Sequence, residues 1–217
     1  QGNALTPEMT VATTIRTRIN QVTVESSGTG DYLISWSAAI EGTAPDILVS
    51  RFKVEEQTLT TPVRVNPEEV QKAVHTSPKV SMHIDGSFVV TWQERLDDIY
   101  RIMARRVETE DFPKDDGFQV SEEIGGSVQA RPELAVLPGG DFVTVWQDDR
   151  NGDLDVYARV TSKNGRSLTQ DMRVNDDEGD HEQSGAIVAS APTGKFVVVW
   201  GDTRDLTRSR YTYAQFY

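Results

Sequence analysis

Four tryptophans, Trp36, Trp92, Trp146 and Trp200, stand 56, 54 and 54 residues apart in a chain of 217 residues. The same short segment leads into each of them: Gly30-Asp-Tyr-Leu-Ile-Ser-Trp36, Gly86-Ser-Phe-Val-Val-Thr-Trp92, Gly140-Asp-Phe-Val-Thr-Val-Trp146 and Gly194-Lys-Phe-Val-Val-Val-Trp200. Each reads glycine, a polar residue, an aromatic, three mostly β-branched or aliphatic residues, then tryptophan. A pattern repeated in register at such a period marks an array of supersecondary units, each needing its neighbours to bury its apolar faces.

Each unit reads as β. In the third, Phe142, Thr144 and Trp146 fall on one face and Val143 and Val145 on the other, which is the pattern of a strand covered on both sides. A second strand is expected over residues 47–52, 99–106, 156–160 and 211–216, each carrying a small residue before Arg or Gln. A third ends in Val63-Arg-Val-Asn66, Phe118-Gln-Val-Ser121 and Met172-Arg-Val-Asn175, and another precedes each tryptophan, for example at residues 79–82 and 133–137. Residues 67–75 carry only faint helical spacing and read as loop. The expected fold is therefore an all-β, four-bladed β-propeller of four-stranded antiparallel blades, one domain over residues 1–217 with blades centred on the four tryptophans. The last unit stops after its third strand at Tyr217. Residues 1–20, with the β-branched run Thr10-Val-Ala-Thr-Thr-Ile15 and an Arg18-Ile-Asn20 that echoes Arg64-Val-Asn66, are expected to close the ring as the missing strand. Asn20 lies only 16 residues before Trp36, so the closing strand would otherwise be residues 9–15.

The segments Asp85-Gly-Ser-Phe-Val-Val-Thr-Trp92 and Gly140-Asp-Phe-Val-Thr-Val-Trp-Gln-Asp-Asp-Arg-Asn-Gly-Asp-Leu-Asp-Val-Tyr-Ala-Arg159 resemble the Trp-containing blade repeats of secreted bacterial β-propeller proteins. The resemblance is strongest in the third unit and weakest in the first, where Ala38 replaces the acidic residue. It implies an exported or cell-surface protein used for binding or assembly, and it does not imply a reaction.

Composition narrows the chemistry. There is no cysteine, so neither a disulfide nor a thiolate metal site can form. No run of about 18 apolar residues is present. A net charge of −12 disfavours nucleic acid and anionic lipid as partners. The loop after Trp146 is the densest polar cluster. Asp149, Asn151, Asp153 and Asp155 place oxygen ligands at alternate positions around Gly152, which suits Ca²⁺; the same residues also build an ordinary polar turn. The Asp and Arg of Trp146-Gln-Asp148-Asp-Arg150 and Trp200-Gly-Asp202-Thr-Arg204 can serve loop hydrogen bonds and ion pairs, or a ligand-binding rim. If the loops after the Trp strands share a face with the inter-blade loops, 18 of the 34 acidic residues gather there, including Glu68, Glu69, Asp177, Glu178, Asp180 and Asp205. Such a face favours a basic partner or divalent cations.

Local catalytic motifs are missing. His181-Glu-Gln-Ser-Gly185 has glycine where a zinc motif needs its second histidine, and the Gly86 to Trp92 spacing differs from that of the sialidase Asp-box. The sequence therefore reads as a non-catalytic, secreted or cell-surface module for protein or glycan contacts or self-assembly, with Ca²⁺ as its expected ion. A sialidase-like glycan hydrolase and a lectin are the alternatives. The absence of cysteine and a start at Gln1 fit an exported chain whose leader has been removed. The aromatic end, Tyr211, Tyr213, Phe216 and Tyr217, reads as strand packing, with Tyr217 a partner contact if exposed.

Overall fold

The computed structural model describes the chain apart from residues 1–3, 5, 13–16, 29, 41, 68–71, 109–116, 177–178, 180 and 205–210. Among the described residues there is no helix, and the strands form four antiparallel sheets. The first contains β1 (Thr17–Ser26), β2 (Tyr32–Ile40) and β3 (Asp46–Lys53), with short β4 (Thr58–Leu59) and β5 (Val63–Arg64) both paired to β3. The second is β6 (Val74–Met82), β7 (Phe88–Leu96), β8 (Ile99–Val107) and β9 (Phe118–Gln119). The third is β10 (Gln129–Val136), β11 (Phe142–Asp148), β12 (Asp155–Thr161) and β13 (Met172–Arg173); the fourth is β14 (Gln183–Ser190), β15 (Phe196–Asp202) and β16 (Tyr211–Phe216). Sequential strands are neighbours in every sheet, and the innermost strands β1, β6, β10 and β14 lie against one another in succession. This is the blade arrangement of a propeller.

The glycine that opens each Trp segment turns the hairpin between the first and second strands. Gly30, Gly86, Gly140 and Gly194 have φ of 96°, 86°, 86° and 84°, a left-handed conformation that a Cβ disfavours. The tryptophans explain the period. Trp92 packs with Leu33, Ile47, Val49 and Val65 of the first blade. Trp146 packs with Val89, Ile102, Ala104 and Val120 of the second, and Trp200 with Val143, Val145, Val156, Ala158 and Val174 of the third. Each ring thus fills a socket made by the preceding blade, including an outer-strand valine.

Polar side chains repeat the same stitch. Asn66 Oδ1, Ser121 Oγ and Asn175 Oδ1 accept the backbone N–H of Ile47, Ile102 and Val156 at 2.7, 3.0 and 2.9 Å. Asn175 Nδ2 then donates to Gln183 Oε1 at 3.0 Å, and Ser121 Oγ donates to Gln129 Oε1, each at the first strand of the next blade. Arg105 reaches back to the Val65 carbonyl, again across a blade boundary.

One expectation is corrected. Residues 17–20 do not complete the last blade: Thr17, Arg18, Ile19 and Asn20 pair with Ile40, Ala39, Ala38 and Ser37 as part of β1 in the first blade. The echo of Arg64-Val-Asn66 misled, whereas the short spacing to Trp36 was diagnostic, since Thr76, Ala130 and Ser184 of the other inner strands also precede their tryptophans by 16 residues. In the alternative closing segment 9–15, residues 13–15 lie outside the described residues, and residues 9–12 form no strand. Thr10, Val11 and Ala12 instead border a cleft together with Trp36, Ala38 and Leu48. Tyr217 stacks on Phe196 with centroids 4.7 Å apart, while Phe216 is 74% exposed.

Truncating one ring tests the socket packing. Trp92→Ala is expected to cost about 3–5 kcal/mol, measured by urea unfolding; an unchanged midpoint would show that this ring does not hold the first two blades together.

Candidate functional site

The four inner strands share an irregularity at one level. Pairing slips between Asn20 and Thr23, Thr76 and Lys79, Ala130 and Glu133, and Ser184 and Ile187. At each slip stands a left-handed residue: Gln21 (φ 52°), Ser77 (φ 53°), Arg131 (φ 53°) and Gly185 (φ 65°). Three of the four are not glycine, and Ser77 and Arg131 precede prolines, which further restrict them. A bulge re-aims side chains and is a recurrent feature beside active sites. Four bulges at one level make a polar ring where the inner strands meet.

The ring is held together across blades. Gln21 Oε1 accepts the Ser77 N–H at 2.6 Å, and Gln21 Nε2 donates to Ser77 Oγ at 3.1 Å. Lys79 Nζ lies 2.8 Å from Glu133 Oε1, linking the second blade to the third. Arg131, the left-handed residue at the β10 bulge, is exposed. Two polar pairs, Gln21–Ser77 and Lys79–Glu133, thus cross the blade boundaries beside the bulges of three blades. Sequence reading missed this ring. Its trace was Ser77-Pro78 and Arg131-Pro132, each proline 14 residues before a tryptophan within an otherwise β segment, a position that signals a bulge.

The acidic loops are more self-contained than their composition suggests. Asp148 Oδ2 accepts from the Trp146 indole N–H at 3.1 Å, from Gln129 Nε2 at 3.1 Å and from Arg150, and Asp148 Oδ1 accepts from Ser127 Oγ and the Arg150 N–H. Asp202 takes the Trp200 indole N–H at 3.2 Å and the Arg204 guanidinium. Both arginines lie over tyrosine rings, Arg150 4.2 Å from Tyr157 and Arg204 4.4 Å from Tyr213. Arg150 also pairs with Asp171 at 2.9 Å and Arg204 with Asp176 at 2.7 Å. Glu122 pairs with Arg159, and Glu123 with Arg101. In the second blade His75, 2% exposed, faces Glu94 Oε2 at 3.2 Å through Nε2 and the Pro45 carbonyl at 3.2 Å through Nδ1. Of the expected acidic face, Glu68, Glu69, Asp177, Glu178, Asp180 and Asp205 lie outside the described residues.

The residues expected to hold calcium are placed as follows. Asp149 Oδ1 accepts the Val128 N–H at 2.6 Å. Asn151 Nδ2 donates to Asp155 Oδ2 at 2.6 Å and to the Tyr157 hydroxyl at 2.8 Å, and Asp155 Oδ1 accepts Asn175 Nδ2 at 2.7 Å. Asp155 is buried, whereas Asp153 is partly exposed. Among the described residues no three His, Asp or Glu side chains gather in an arrangement that would hold a metal ion.

No family model and no curated protein matches the chain. Solved structures do. The endo-arabinase of Bacteroides thetaiotaomicron has a TM-score of 0.56 at 12% identity, over 89% of this chain and 73% of its own. The GH93 α-L-arabinofuranosidase of Fusarium graminearum, solved with arabinobiose, has a TM-score of 0.64 at 10% identity, over 91% and 61%. The α-L-arabinanase of Penicillium chrysogenum, also with arabinobiose, has a TM-score of 0.59 at 17% identity, over 93% and 62%. The chain thus spans about three-fifths of the latter two. At such identities the likeness carries the fold, a β-propeller. It also overturns the non-catalytic expectation: glycan-degrading enzymes are built on this blade arrangement. The absence of a local motif does not exclude catalysis on such a fold, because residues brought together from separate blades lie about 54 residues apart in sequence.

The Trp–Asp–Arg clips make acid sensitivity testable. Burial pushes the Asp148 and Asp202 carboxyls up, but hydrogen bonds from Arg150, Ser127 and Trp146, and from Arg204 and Trp200, outweigh it and hold both below the ordinary value. A carboxyl depressed in the folded state stabilises the fold above its unfolded value, and the contribution is lost as pH falls through the folded one. Stability is therefore expected to hold down to about pH 4 and to decline below it. Asp148→Asn should cost on the order of 3 kcal/mol at neutral pH and flatten the acid decline, as followed by thermal melts across pH.

Proposed function

We propose that the protein is an exported, propeller-type glycan-processing enzyme, a hydrolase acting at the polar ring of the bulged inner strands. The observation that carries this reading is the bulge shared by the four inner strands, with the inter-blade pairs Gln21–Ser77 and Lys79–Glu133 beside it. The glycan-degrading enzymes that share the fold support it. In this reading Glu133, ion-paired with Lys79 at 2.8 Å, is the carboxylate that stabilises the cationic transition state of glycosidic cleavage. Arg131 and Gln21 bind substrate hydroxyls through planar donor groups. No helix of the described residues is long and apolar enough to cross a membrane, and the secretory setting rests on the blade resemblance.

The test is release of reducing sugar from a panel that includes arabinan, xylan and galactan. Glu133→Gln is expected to lower the rate at least about a hundredfold while leaving the melting temperature nearly unchanged, and Arg131→Ala is expected to raise KM more than it lowers kcat. An equal rate for Glu133→Gln would remove Glu133 from the reaction.

Calcium at Asp149, Asn151, Asp153 and Asp155 is a separate proposal, supported by ligand chemistry and spacing. There the ion would replace the Asn151 amide as the partner of Asp155. Adding Ca²⁺ is expected to raise the melting temperature and chelator to reverse it; identical melts in calcium and in chelator would dispose of a stabilising site.

A further inference from the structure

In the first three blades a short outer strand covers the free side of the third strand: β5 pairs with β3, β9 with β8 and β13 with β12. Among the described residues no strand pairs with the outer side of β16. The outer strand makes the same bonds each time. Val65, Val120 and Val174 donate their N–H to the carbonyls of Ile47, Ile102 and Val156 at 2.8, 2.7 and 2.8 Å. The Asn or Ser that follows receives the N–H of those same three residues. Thr60 and Thr169 close the far end. Their Oγ1 atoms accept the Arg51 and Val160 N–H at 2.9 and 3.0 Å, and their own N–H groups donate to the Arg51 and Val160 carbonyls. The first and third blades thus use one pattern, Thr-x-x-Val-Arg-Val-Asn and Thr-x-x-Met-Arg-Val-Asn.

Register transfers these sites to β16. Ile47, Ile102 and Val156 stand opposite the residue after each tryptophan, and in the fourth blade Thr212 stands there, opposite Gly201. Arg51 and Val160 stand opposite Leu33 and Val143, and their counterpart is Phe216, opposite Val197. The backbone N–H and C=O of Thr212 and Phe216 therefore point to the free side of β16. Thr212, Ala214 and Phe216 are exposed. Sheets ordinarily guard such an edge with charge, proline or a bulge. β16 reads Tyr-Thr-Tyr-Ala-Gln-Phe, has none of these, and pairs with β15 without a slip.

We propose that the edge of β16 is a docking site for an extended segment of another polypeptide, reading Thr-x-x-apolar-x-Val-Asn, which adds to the fourth blade as its outer strand. The partner's asparagine accepts the Thr212 N–H, its valine N–H donates to the Thr212 carbonyl, and its threonine closes on the backbone of Phe216. Main-chain pairing supplies the affinity and the alternate side chains the selectivity. The residue before the valine is left open, because Arg64 and Arg173 lie near Asp46 and Asp155, where β16 has Tyr211. The copies of the pattern within this chain are already engaged: residues 60–66 and 169–175 serve their own blades, and residues 17–20 belong to β1.

The probe is a synthetic peptide with the sequence of residues 59–66, Leu-Thr-Thr-Pro-Val-Arg-Val-Asn, acetylated and amidated. Titrated into the ¹⁵N-labelled protein, it is expected to shift the amide signals of Thr212, Ala214 and Phe216, to slow their hydrogen exchange, and to leave those of β7 in place. N-methylation at the peptide's last valine removes the bond to the Thr212 carbonyl and should weaken binding at least about fivefold, the worth of one neutral hydrogen bond. Ala214→Pro takes an N–H from the free side of the strand, a position where an edge strand tolerates proline, and should weaken binding likewise. Amides of β16 unmoved up to the solubility of the peptide would overturn the proposal, as would equal binding of the N-methylated peptide; neither depends on a variant folding. A dimer in sedimentation that the peptide fails to dissociate would overturn it too, by giving the edge to a second copy of the chain.

Discussion

An indole ring presents two demands that no single four-stranded sheet can meet. Its large apolar surface needs a socket, and its one N–H, once buried, needs an acceptor. The socket is supplied by the sheet before: Leu33, Ile47, Val49 and Val65 for Trp92, and their counterparts for Trp146 and Trp200. The acceptor is supplied from within the sheet, by Asp148 and Asp202. Those carboxylates could not be buried alone, so an arginine follows each, and a tyrosine supports the arginine from below. The spacing Trp-x-Asp-x-Arg with a tyrosine on the next strand is thus one requirement propagated through three residue types. Where the chain departs from it, the consequences are local. Glu94 turns away to His75 and Arg101, leaving the Trp92 N–H unmatched, and Ala38 leaves a cleft beside Trp36.

What could be read from the sequence followed this logic closely. The strands after the tryptophans lie within a residue of where periodicity places them, and the Trp strands start two residues after each opening glycine and run two to four residues past the ring, because burial on both faces leaves a continuous apolar run that is hard to mistake. The outer strands were marked by Val65, Val120 and Val174, which the sockets require. The inner strands were harder. Their residues face a neighbouring blade on either side and the meeting point of the strands at one edge, so alternation is broken by a bulge, and the polar residues there answer to partners some 54 residues away. Gln21 meeting Ser77 and Lys79 meeting Glu133 are contacts of that kind. The misassigned N-terminal strand has the same origin: Arg18-Ile-Asn20 looks like an outer strand in composition, and only its distance to Trp36 identifies it as inner.

The loop acids show the opposite failure. Their composition suggested a free negative face, yet many of the described ones serve the fold itself. Asp148 collects five donors, Asp155 joins Asn151 to Asn175, and Glu122 and Glu123 pair with Arg159 and Arg101. Net charge counts residues and is silent on which of them are already spoken for. The residues proposed to meet substrate are fewer and come from strands rather than loops, where backbone pairing fixes their positions.

Because every described tryptophan after the first is housed by the blade before it, the array has a direction. A blade without its predecessor would expose its indole to water, and the Ser121–Gln129 and Asn175–Gln183 contacts tie the second blade to the third and the third to the fourth. Beside Trp36, residues 10–12 border a cleft instead of forming a sheet.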